Sequence, residues 1–203
     1  MSQPKTLLEM AGAPLTPPPL ATAALVLIDM QMEYVDGRLP LPGAAPALQE
    51  GARLLALARR AHRPIFHIQH RGRAGGLFDP GGAGYAIAGP VAPAAGEPVI
   101  NKALPNSFAG TDLDAALKRA GVKQVVFAGF MTHMCVSSTA RAALDLGYGA
   151  TIVAAACASR DLPDGQGGVV SAAELHRVEL AALADRFAIV VPTADRLSLS
   201  ADS

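Results

Sequence analysis

Two features of the chain predict an α/β fold, a parallel sheet covered on both faces by helices. Short β-type runs alternate with helical patterns along nearly the whole length, and parallel strands need such crossovers to be joined. The first run, Leu25-Val26-Leu27-Ile28, is apolar at every position, as a strand buried on both faces must be.

The elements follow in order. Residues 23–30 read as a buried strand, and 46–61 as a helix with Leu48, Ala52, Leu55 and Ala58 on its apolar face. Strands over 65–69 and 99–101 come next. A helix over 112–120 takes Thr111 as its N-cap and Gly121 as its terminator. A fourth strand covers 124–129, and the helix after Cys135 ends near Gly147. A fifth strand, 151–155, leads into a loop over 159–168. Ser171 and Glu174 have the spacing of a capping box, which opens the last helix before a sixth strand over 187–191.

Two segments stand outside this pattern. The head, residues 1–20 with Pro17-Pro18-Pro19, reads as an extended arm packed on the surface or on a neighbouring subunit. Residues 71–97, rich in Gly, Ala and Pro, leave the carboxyl end of a strand, where open α/β sheets bind ligands. They read as a substrate-covering loop.

At 203 residues and 51% hydrophobic content, the chain is expected to form one domain over 1–203. Its 17 basic residues balance 17 acidic ones without a dense basic cluster, which argues against nucleic acid and anionic membranes and for a small-molecule substrate. No apolar run approaches the roughly 20 residues that span a bilayer. Two cysteines and no recognisable leader point to the cytoplasm. Charged residues are only 17% of the chain, which favours a homodimer or homotetramer.

The chemistry-bearing residues sit where the predicted strands end. Val125 to Ala140 drives an apolar run into a short turn, delivers Cys135 and leaves along a helix, a geometry that suits a nucleophile beside the N–H groups of a helix start. A free cysteine is also a common small core residue. Leu25 to Gln31 places Asp29 at the same sheet edge, and Val99 to Lys102 delivers a base there. Buried strand ends rarely carry acids without cause, although singly Asp29 also admits the reading of a turn cap or partner of a surface base, and Lys102 that of a snorkelling surface lysine. An acid, a base and a thiol at the carboxyl ends of separate parallel strands would instead converge in one crevice.

Three ordered motifs carry a resemblance. Asp29-Met30-Gln31 with Tyr34, Lys102 with Asn106-Ser107-Phe108 and Thr111-Asp112-Leu113, and Gly129 through Val136 resemble the isochorismatase-like cysteine hydrolase family over roughly residues 23–191. The resemblance implies a three-layer α/β/α sandwich on a six-stranded parallel sheet and a catalytic Asp29, Lys102 and Cys135. It also implies a cis peptide between Phe130 and Met131.

A thiol with a pKa of about 8.5 is only a few per cent ionised at neutral pH and needs activation. Asp29 is expected to take the thiol proton and pass it to the leaving amine, while Lys102 favours the thiolate and orients the carboxylate. Attack on an amide gives an oxyanion, for which the N–H groups of Met131 and Cys135 are the candidate donors, and then a thioester. Gln31, Tyr34, Phe108, Thr132 and His133 are candidate substrate contacts. His133 as a rival base is disfavoured, because a ring two residues before Cys135 in one tight turn is poorly placed to reach the sulfur.

His67, His70 and Asp79 invite a metal reading. The zinc-dependent nicotinamidases of the resembled family carry Asp-x-His after the second strand, which this chain lacks. No metal or other cofactor is therefore expected. His62 and His176 read as surface, capping or packing residues, and Cys157 as core. The function expected is hydrolysis of a small amide or related C–N bond through a Cys135 thioester. The alternatives are vinyl-ether or ester hydrolysis, a non-catalytic binding module, and a redox-sensing thiol with Cys157 as partner.

Overall fold

The computed structural model describes residues 3–199. Along the chain come helix α1 (Leu7–Met10), strand β1 (Ala23–Ile28), α2 (Ala44–Arg60), β2 (Ile65–His70) and β3 (Val99–Lys102). Then follow α3 (Leu113–Arg119), β4 (Gln124–Phe130), α4 (Ser137–Asp145) and β5 (Gly149–Ala158). The short strands β6 (Leu162–Pro163) and β7 (Val169–Val170) precede α5 (Ala172–Arg186) and β8 (Ile189–Val191). Six strands make one parallel sheet in the order β3-β2-β1-β4-β5-β8. The chain moves outward from β1 to β3 and then returns to the far side of β1 as β4, so the strand order reverses between β1 and β4, where ligands bind in such sheets.

β1 shows why its sequence is apolar throughout. Ala23, Leu25 and Leu27 pack into a core built on α2 residues such as Leu48, Leu54 and Leu55. Ala24, Val26 and Ile28 face a second core with Leu113 and Leu117 of α3, Ala140 and Ala143 of α4 and Leu183 of α5. Strand alternation thus divides one run between two helical layers, and the sandwich expected from the resemblance is the fold observed.

Several boundaries move, each for a local reason. β1 ends at Ile28 because Asp29 adopts a left-handed backbone, φ 50°. α2 begins two residues early, with Pro46 in its first turn, where a missing N–H costs nothing. α3 starts after Asp112, although Thr111 still accepts a bond from the Leu113 N–H at 3.3 Å. Gly121 terminates it at φ +67°. β5 is longer than expected, 149–158, and its register against β4 shifts between Phe127 and Gly129, bringing Cys157 opposite Gly129. Phe187 closes α5 and does not open β8. Residues 159–168 are not wholly loop, because β6 and β7 pair there. Ser171 accepts from the Glu174 N–H at 3.2 Å, one half of the expected box.

The head is not wholly extended. Thr6 and Glu9 cap α1 reciprocally, and the Leu7 N–H donates to Asp185 on α5, so this part of the arm lies on its own chain. Residues 71–97 contain short 3-10 turns at Ala83–Tyr85 and Gly89–Val91 and are tied down by Met32 N–H to Ala86 O and Ala88 N–H to Met30 O. No helix among the described residues is long and apolar enough to cross a membrane.

Gly129 is the tightest point of this framework. Its φ is +135°, and a Cβ there would sit 2.0 Å from the Ile28 carbonyl oxygen on the neighbouring strand. Gly129→Ala is expected to cost about 3 kcal/mol or more, lowering Tm by about 6–12 °C in a thermal melt. An unchanged Tm would mean that β1 and β4 part freely there.

Candidate active site

β1, β3 and β4 deliver Asp29, Lys102 and Cys135 to one point at the carboxyl edge of the sheet. The Lys102 ammonium lies 2.6 Å from Asp29 Oδ2 and 3.2 Å from Cys135 Sγ. It also contacts Leu104 O at 3.1 Å and His70 Nδ1 at 3.3 Å. Four acceptors thus surround three N–H bonds, which fixes the ammonium in place. Asp29 and Lys102 are fully buried and Cys135 is 5% exposed. Asp29 Oδ1 meets no donor among the described residues.

Cys135 sits in a π-helical turn, Thr132–Val136, that opens directly into α4. Phe130–Met131 is a cis peptide. Among the described residues the Met131 N–H donates to no protein acceptor, while the Met131 carbonyl closes the turn by accepting from Met134 and Val136. Ser107 anchors the segment after Lys102. Its N–H donates to Thr139 Oγ1 at 3.0 Å, and Thr139 returns a bond to Ser107 Oγ at 2.9 Å, locking this segment to the helix behind Cys135.

Burial dominates the electrostatics. It raises the Asp29 pKa against the pull of Lys102, which makes this carboxylate a stronger base than one in water. Burial, with the Asp29 charge, pushes the Cys135 thiol up to about 12 despite Lys102. Desolvation of the sulfur thus outweighs the one nearby ammonium and favours the thiol, the form from which Asp29 is expected to take the proton. His70 is pushed down to about 4 by burial and the Lys102 charge. It stays neutral, with Nδ1 free to accept from lysine.

The isochorismatase domain family model matches residues 23–195, a span that holds all six strands of the parallel sheet. The chain belongs to the isochorismatase family. A crystal structure of an isochorismatase from Pseudomonas putida KT2440 superimposes with a TM-score of 0.91 at 42% identity, covering 95% of this chain and 99% of that one. A secreted isochorismatase effector of Verticillium dahliae, Isc1, is 36% identical over 92% of this chain and 96% of its own. Maleamate amidohydrolase of Pseudomonas putida is 33% identical over 66% of this chain and 70% of its own.

Within this isochorismatase fold the other expected contacts divide. Tyr34 is buried, edge-on to both Phe78 and Phe130, and burial with the Asp29 charge raises the pKa of its hydroxyl. His133 is half-buried, with Nδ1 3.1 Å from Ser159 Oγ. Gln31 is corrected. Its amide nitrogen donates to His70 O and Tyr85 O, and its oxygen accepts from the His70 N–H, so it straps the loop over 71–97 to the end of β2 and touches neither carboxylate nor open space. Phe108 is corrected as well, because it stacks on Tyr148, the residue that precedes β5, at the amino end of the sheet. Thr132 is fully buried with its hydroxyl 2.8 Å from His176 Nδ1, a bond that ties the turn to α5.

The metal candidates are dispersed. His67 Nε2 lies 3.0 Å from Glu97, His70 serves Lys102, and Asp79 accepts from the Gly75 and Gly81 N–H groups of its own loop. Cys135 and Cys157 are both free thiols, and burial pushes Cys157 up to about 12.

His70 escaped the sequence reading except as a metal ligand, since only folding sets it against lysine. With a folded pKa of about 4 against an ordinary 6.5, the unfolded chain takes up a proton there before the folded one does. Stability is therefore lost as pH falls from about 6.5 towards 4. His67, His133 and His176, also lowered by burial, act in the same direction. In urea melts between pH 7 and 4, His70→Gln is expected to lose less stability than the unaltered chain. Parallel losses would show that His70 titrates as it does in water.

Proposed function

We propose that the protein is a cysteine-dependent amidohydrolase that cleaves a small carboxamide, lactam or related C–N bond through a Cys135 thioester, with no step routed through a metal. One observation carries the reading. A single fixed ammonium touches both the carboxylate and the sulfur, at 2.6 and 3.2 Å, while Asp29 Oδ1 stays free to accept a proton. Family membership supports a hydrolase, and the amidase name of the maleamate relative supports the bond type.

The steps follow from the resting thiol. As Sγ attacks the carbonyl carbon, Asp29 takes the thiol proton, so that no free thiolate accumulates in the buried site. The oxyanion accepts from the N–H groups of Met131 and Cys135. When the C–N bond breaks, the Asp29 proton goes to the departing nitrogen, leaving the thioester and a free amine or ammonia. Water, deprotonated by Asp29, then attacks the thioester. The acid departs, and the proton returns to sulfur. The Lys102 ammonium, held by Asp29, His70 and Leu104, keeps the Asp29 carboxyl group aimed.

Ester hydrolysis would use the same steps, whereas vinyl-ether cleavage would make no use of the sulfur. Intact-mass analysis of a quenched reaction is expected to show an acyl group on Cys135. Cys135→Ala should lower amide turnover by about a thousandfold or more with the fold intact, and Asp29→Asn by about 10²–10⁴. Ammonia release should be the same with and without a chelator. Full turnover by Cys135→Ala would eliminate the thioester, and loss of activity to chelation would bring a metal back.

A further inference from the structure

We propose that His70 is a positioning residue for the Cys135 sulfur, acting through Lys102: its Nδ1 shares with Sγ the one ammonium N–H that Asp29 and Leu104 leave over, and so keeps the lysine from closing fully onto the sulfur. This deepens the amidase reading, on which its part in turnover rests.

The arithmetic of bonds at the ammonium carries the assignment. Lys102 offers three N–H bonds to four acceptors, Asp29 Oδ2 at 2.6 Å, Leu104 O at 3.1 Å, Cys135 Sγ at 3.2 Å and His70 Nδ1 at 3.3 Å. The two oxygens are nearest, and they engage two of the bonds. Sulfur and imidazole divide the third. Because an ammonium only donates, His70 Nδ1 accepts and the ring proton sits on Nε2. Burial and the lysine charge push His70 down to about 4, so the acceptor is present at neutral pH.

The ring is fixed at three points. His70 is the register partner of Lys102 on the neighbouring strand, so the two side chains leave the sheet on the same face. Gln31 grips the backbone, accepting from the His70 N–H at 2.8 Å and donating to its carbonyl at 3.0 Å. Phe78 meets the imidazole edge-on, with ring centroids 5.1 Å apart.

The effect on sulfur follows from what surrounds it. The groups whose charges bear on Cys135 are Asp29 of β1 and Lys102 of β3; Tyr34 feels the sulfur in turn, and His133 of the same turn is engaged by Ser159. Of these only Lys102 draws the thiol pKa down. An undivided ammonium bond would stabilise the thiolate further. A more acidic sulfur is a weaker nucleophile and a better leaving group, so a tetrahedral intermediate formed on an amide would expel sulfur more readily than nitrogen. Dividing the bond guards against that return.

Two readouts of opposite sign test the role. Alkylation of Cys135 by iodoacetamide, followed through the mass of the modified peptide as pH is raised, reports thiol ionisation without a substrate. His70→Leu keeps bulk and removes the acceptor, and is expected to move the rising limb of the rate to lower pH, making alkylation at a given pH about threefold faster or more. Ammonia release from amides should slow by about threefold or more in the same variant. His70→Asn, whose amide oxygen reaches the Nδ1 position, should restore both, and His70→Met removes the acceptor where His70→Leu does not fold. Loss of packing alone would not speed alkylation. An alkylation profile unmoved or moved to higher pH, ammonia release that does not slow, or His70→Asn behaving as His70→Leu would overturn the positioning role and leave the amidase reading standing. Faster alkylation in His70→Leu, with no ammonia released from any amide by the unaltered chain, would uphold the divided bond and sink the amidase reading.

Discussion

The ion pair between Lys102 and Asp29, closed at 2.6 Å with both side chains out of water, is the constraint on which the rest of the site depends. Desolvating two charges is expensive, and their attraction compensates only when the remaining valences are met. Here the ammonium has Leu104 O and His70 Nδ1 as further partners, and those partners come from the ends of β3 and β2. Removing either charge would strand the other, at a cost of about 3–5 kcal/mol. The pair therefore acts as a clamp across three adjacent strands, and the sulfur is set against it by the turn that follows the fourth.

That arrangement also sets the electrostatics around the sulfur. Burial pushes the Cys135 thiol up to about 12 and raises the Asp29 carboxyl as well, and the proposed amidase reading therefore has proton transfer to Asp29 accompany attack by sulfur. Lysine limits how basic that carboxylate becomes and keeps it charged. The same burial that costs thiolate population removes competing water, and it strengthens each electrostatic contact to the reacting atoms.

The loop over 71–97 joins this machinery through Gln31. The Gln31 amide and the Gln69 amide both donate to the Tyr85 carbonyl, and Phe78 packs against the rings of Tyr34 and His70. The loop is thus fastened at the residues that border the triad. Its position, and the position of His70 against Lys102, are one packing problem: the residue that accepts from lysine also supplies the backbone that Gln31 holds.

The strands, the layer order and the positions of Asp29, Lys102 and Cys135 were legible in the sequence, because an apolar run that ends in a charged or nucleophilic residue states both where a strand stops and what it delivers. Gly121 and Ser171 were legible for the same local reason. The contacts made by Gln31, Phe108, Thr132 and His70 were not. Gln31 and Phe108 stand beside the Asp29 and Lys102 motifs in sequence, yet one turns to backbone on another strand and the other to Tyr148. His70 stands apart from those motifs and is brought to the site by strand register. Which residues end strands is a local property, written in hydrophobic runs and caps. Which way a polar side chain turns depends on partners tens of residues away, and only the packed sheet decides that.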